Sequence, residues 1–140
     1  MACWKMEEGF RCPAPRRARL SRRLPARWGA KLAVFQPGAG ACSADPARVQ
    51  VQAEAGGLTV SGAFLAPTPC HSLRAVLGHP SQGELVLTIT AAPSEEMCVQ
   101  CLALIPYEGR NEGLAHGRWH LRVYHEAELL WDAWHEVTPP

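Results

Sequence analysis

Six cysteines and six histidines carry most of the reactive chemistry in this 140-residue chain, and their spacing narrows what that chemistry is. Cys98 and Cys101 have the Cys-x-x-Cys spacing of a redox dithiol. Such a site needs its first thiol at a helix N-terminus, where the thiolate is stabilised. The surrounding residues read as a strand instead, and on a strand positions i and i+3 point to opposite faces. A soft-metal site is the second option, because Cys70, His71, Met97, Cys98 and Cys101 together supply thiolate, imidazole and thioether. Structural zinc usually takes two short-spaced ligand pairs, and here there is one. The simplest reading is a disulfide between neighbouring strands of an exported domain. Cys70 has the opposite facing to Leu73 and Leu77, whereas Cys101 falls in the more apolar set Met97, Val99, Cys101, Ala103 and Ile105. This parity pairs Cys70 with Cys98 and leaves Cys70–Cys101 as the alternative.

The histidines (His71, His79, His116, His120, His125 and His135) show neither HExxH nor HxH spacing, and no body serine sits in a G-x-S-x-G elbow. Gly38-Ala39-Gly40 imitates the start of a dinucleotide loop, but a strand pattern follows it where a helix is required. The chain is therefore expected to be non-catalytic and to need no cofactor. Its aromatic residues gather late: Tyr107, Trp119, Tyr124, Trp131 and Trp134. They either pack a core or form an exposed face that binds a partner or a carbohydrate, with Trp119 and Trp134 as the candidate contacts. Glu126, Glu128, Asp132 and Glu136 would rim that face.

The elements that must position these residues are strands. Val49, Val51 and Ala53 alternate with polar neighbours, and Gly56-Gly57 then suits a tight hairpin turn before Leu58–Leu65. Pro67 and Pro69 mark a corner, because neither can donate a ladder hydrogen bond. Alternation resumes from Cys70 to Leu77, with Leu73, Ala75 and Leu77 on one side. It is clearest in Glu84–Ala91, where Leu85, Leu87 and Ile89 share a face. Met97–Ile105, apolar on both faces, reads as a central strand, Pro106–Gly117 as a polar loop, and Arg118–His125 as a strand with Trp119, Leu121 and Val123 on one side. Leu129–Val137 fits either a last strand or a helix; as a strand it buries Trp131 and exposes Trp134. About seven short strands with Pro and Gly in the connections indicate an all-β, immunoglobulin-like antiparallel sandwich over residues 45–140.

Residues 1–44 differ from this body. They hold nine Lys/Arg against Glu7 and Glu8, while residues 45–140 hold five against eleven Asp/Glu. An acidic body lacks the basic face that phosphate contacts need, so nucleic acid is not an expected partner. The basic run to Arg27, the apolar Leu32–Phe35 and the small residues before Cys42 follow the order of a bacterial lipoprotein export signal, with Cys42 as the lipid anchor. A disordered basic extension is the alternative. No run is long and apolar enough to span a bilayer, so membrane attachment would be through that lipid alone.

The stretch Leu114-Ala115-His116-Gly117-Arg118-Trp119-His120-Leu121-Arg122-Val123 is similar to the ending of many bacterial extracellular immunoglobulin-like domains. The Pro67-Thr68-Pro69-Cys70 corner, followed by Cys98 and Gln100, resembles small exported bacterial lipoproteins of uncharacterised function. The resemblance spans residues 47–137 and implies a fold and a location, not an activity. The sequence thus points to an exported or envelope-associated binding or structural protein. Its rivals are a periplasmic metal-binding module and a small hydrolase inhibitor acting through a loop such as Pro106–Gly117.

Overall fold

Alternating inward apolar and outward polar residues build two facing sheets in the computed structural model, which describes residues 31–140. The readings made on residues 1–30, including the basic run, Cys3 and Cys12, lie outside the described residues. The strands are β1 (Lys31–Pro37), β2 (Ala41–Cys42), β3 (Arg48–Glu54), β4 (Gly57–Ala66), β5 (Ser72–Gly78), β6 (Glu84–Ala92), β7 (Ala103–Glu112), β8 (Gly117–His125) and β9 (Glu128–Val137). No helix occurs among the described residues. One sheet runs β1-β7-β4-β3 with β2 also pairing β7, and the other runs β5-β6-β8-β9. All pairs are antiparallel except β6–β8, which is parallel because the chain crosses to the first sheet as β7 before returning.

The core lies between the sheets. Leu58, Val60 and Phe64 of β4 and Ile105 and Tyr107 of β7 meet Leu85, Leu87 and Ile89 of β6 and Trp119, Leu121 and Val123 of β8. Each large aliphatic side chain fully buried here contributes about 1.5–3 kcal/mol of transfer free energy. The β3–β4 hairpin turns through Ala55-Gly56, one residue earlier than the glycine pair suggests, and Gly56 supplies the positive φ of 75°. Its N–H donates to the Thr138 carbonyl at 2.9 Å, which ties the hairpin to the end of β9.

Among the described residues the sandwich has nine strands, and its boundary moves. Residues 31–42, read from sequence as part of an extension, form β1 and β2 against β7. Leu32 and Phe35, the apolar run of the supposed signal, pack against the core. Cleavage before Cys42 would strip β1 from the sheet.

The second correction concerns Met97–Ile105 and Pro106–Gly117. Residues 93–102 carry no strand, while β7 runs as the central strand through Pro106 to Glu112. Pro106 is tolerated because its carbonyl accepts the Gly38 N–H at 2.7 Å, on the side where β1 has ended and β2 has not begun. A strand residue's N–H and C=O point the same way, so the missing donor faces that gap. Of the expected loop Pro106–Gly117, residues 106–112 belong to β7, Gly117 begins β8, and Gly113–His116 connects them.

Candidate binding face

Burial fixes the facing of β8. Trp119, Leu121, Val123 and His125 are buried, so Arg118, His120, Arg122 and Tyr124 stand on the outer side of the sheet. Register then assembles their neighbours. Arg118 lies opposite Glu136, His120 opposite Trp134 and Arg122 opposite Asp132, while Glu84 of β6 lies beside His120. The His120 and Trp134 rings stack with centroids 4.9 Å apart and planes 16° from parallel. The Arg118 guanidinium sits 4.8 Å from the Trp134 ring centre, a cation–π geometry worth about 0.5–1 kcal/mol at an exposed site. His120 Nε2 bonds Asp132, its Nδ1 lies 3.9 Å from Glu84, and Arg122 Nη2 is 3.5 Å from the same carboxylate. Trp134 is 53% exposed at the centre of this group. Among the described residues the polar partners of the His120 ring are the carboxylates of Asp132 and Glu84.

Trp119 takes no part in this face. It is buried, its indole N–H donates to the Ala115 carbonyl at 2.9 Å, and the His79 ring lies 5.6 Å away. The binding role expected for it is corrected to core packing, because its parity on β8 is that of Leu121 and Val123. Trp131 is half-buried; its indole N–H donates to His135 Nε2 at 3.0 Å, and burial lowers the His135 pKa, favouring the neutral acceptor.

The described cysteines form two disulfides. Cys70 is bridged to Cys98, with Cα atoms 6.2 Å apart, and Cys42 to Cys101, with Cα atoms 5.7 Å apart. A sulfur bonded to Cys101 cannot also carry a thioether-linked lipid, so the lipid-anchor role of Cys42 is corrected. The metal reading loses all its thiolates for the same reason, and His71 Nδ1 pairs instead with Thr68 Oγ1 at 2.9 Å. No group of three or more His, Cys, Asp or Glu is placed to hold a metal among the described residues.

One polar pair went unread in the sequence. Tyr107 Oη and His125 Nε2 lie 2.7 Å apart between the sheets. Gly62 faces Tyr107 on β4, and a Cβ there would lie 2.8 Å from the hydroxyl, so only glycine leaves room for the ring. Burial pushes the His125 pKa down to about 4 and raises that of Tyr107. His125 Nδ1 is buried with no partner. The parity of Trp119, Leu121 and Val123 extends to His125 and was the signal available for it.

With this geometry in view, no protein-family model matches the chain, and no curated protein or solved structure is significantly similar to it.

Proposed function

We propose that this chain is an exported, non-catalytic β-sandwich that binds an envelope or extracellular partner through the outer face of β8 and β9. One observation carries the reading: Arg118 and Trp134 stand exposed on a sheet face, stacked with a half-buried His120 and ringed by Glu84, Arg122 and Asp132. Trp and Arg are the side chains that most often anchor interfaces, and here both are already ordered by mutual contact. The two disulfides support export, since such bonds persist in oxidising compartments. The test compares retention of the protein on washed envelope fractions of its own cells. Wild type should be retained, and Trp134→Ala with Arg118→Ala should be released while still unfolding cooperatively, with a midpoint lowered by only a few degrees. Equal retention of both would reject the face.

A further inference from the structure

The segment between β6 and β7 combines three properties that ordinary loops do not share. Its side chains are apolar and exposed: Met97 is 97% accessible, Val99 60% and Leu102 54%. The backbone of Met97–Gln100 belongs to no strand or turn, so its N–H and C=O groups are free of the ladders on either side. It is also clamped, because Cys98 is bonded to Cys70 at the β4–β5 corner and Cys101 to Cys42 in β2. The Ser43 N–H adds a hydrogen bond to the Leu102 carbonyl at 2.9 Å. A free loop of this composition would collapse onto the core or lose its order; here covalent bonds hold it open.

An exposed, pre-ordered peptide with unpaired backbone groups is what an endopeptidase cleft takes. The cleft pairs with the backbone as an added strand, and one dominant side chain enters a pocket. The ordering entropy that weakens most peptide ligands has been met by the disulfides beforehand. We infer that residues 97–101 form an inhibitory loop for serine endopeptidases with an apolar primary pocket, with Met97 as the side chain that fills it. Cutting after Met97 would leave the downstream side bonded to the framework through Cys98 and Cys101, and Met97 joined to β6 through residues 93–96. Glu95 and Glu96 directly precede Met97, and their charge opposes insertion of the same apolar residues into an anionic lipid surface. This inference uses no residue of the β8–β9 face and stands or falls apart from it.

The experiment titrates subtilisin and chymotrypsin, each assayed on a chromogenic peptide, with the oxidised full-length protein. The expected result is saturable inhibition at a one-to-one ratio. Met97→Asp should raise the inhibition constant roughly a hundredfold, the scale of a lost central anchor, whereas Met97→Leu should keep it within a few-fold. The Cys70→Ser/Cys98→Ser variant should become a substrate cut between residues 97 and 101. Unchanged hydrolysis with both enzymes would overturn the proposal, as would rapid cutting of the oxidised loop without inhibition. So would inhibition indifferent to Met97→Asp. Binding to zwitterionic vesicles through Met97 and Val99 in place of either protease would reassign the loop to lipid.

Discussion

The β8–β9 hairpin and the 93–102 segment are tied into the molecule by opposite means. In the hairpin the ladder runs from Gly117–Val137 to His125–Glu128, broken only by a bulge at Leu130, and Leu121, Val123 and Val137 are buried to 1% exposure or less. In the segment nothing comparable is buried, and two disulfides do the holding. The lesson is that covalent closure separates order from burial. A segment ordered by packing must spend its apolar side chains inward, while one ordered by cross-links can present Met97, Val99 and Leu102 to solvent.

Breaking the cross-links should have the largest effect. In the chain-entropy view each bridge stabilises by about 3–5 kcal/mol, and the two enclose 59 and 28 residues of sequence separation. Reduction should therefore lower the thermal midpoint by well over ten degrees, and the loss should appear first as protease sensitivity between residues 93 and 102. A chain beginning at Ser43 should behave similarly, since it lacks β1, β2 and the Cys42 bridge. Unchanged melting of that shortened chain would show that residues 31–42 do not belong to the sandwich.

The hairpin should break by a cavity instead. Leu121→Ala should cost about 2–5 kcal/mol in denaturant unfolding and leave both disulfides formed.

The buried His125 gives a pH signature of comparable size. Its folded pKa is about 4 against an ordinary 6.5, so the unfolded chain takes up a proton that the folded chain refuses. Its contribution is complete above pH 6.5 and is lost as pH falls to about 4. That loss is on the order of 3 kcal/mol, followed by urea unfolding across the window. His125→Phe should flatten this part of the profile.

The smallest effects belong to the exposed residues. Met97→Ser should change stability by no more than about 0.5 kcal/mol, and Trp134→Ala should cost about 0.5–1 kcal/mol through its lost cation–π contact. A larger loss at Met97 would mean that the segment leans on the framework after all.

The same contrast explains what the sequence could reveal. Where burial alone orders the chain, alternation shows it: Leu85, Leu87 and Ile89 of β6 and the inward set of β8 were placed on the correct face, and the exposed Trp134 with its half-buried neighbour Trp131 follows from strand parity. Met97–Leu102 was misread because its apolar residues serve exposure, which no periodicity reports. The strand β7 was hidden by Pro106, Gly109 and Asn111; its inner face is filled by a tyrosine, a glycine and an asparagine whose Oδ1 accepts the Leu58 N–H at 3.2 Å. Residues 31–42 resembled a signal because an apolar run before small residues looks the same whether it enters a translocon or a sheet. The candidate face draws on two strands and a parallel neighbour, so the sequence offers Trp134 with Asp132 and Glu136 on its rim, but not Arg118, His120, Arg122 or Glu84.

The pairing of the cysteines tests the account most directly. The protein is unfolded without reductant and treated with iodoacetamide, and the alkylated positions are then mapped by peptide mass in wild type and in Cys42→Ser. Cys42, Cys70, Cys98 and Cys101 should all be protected in wild type, and Cys42→Ser should free Cys101 while Cys98 stays blocked. Alkylation at Cys98 in that variant, or at any of the four in wild type, would contradict that pairing.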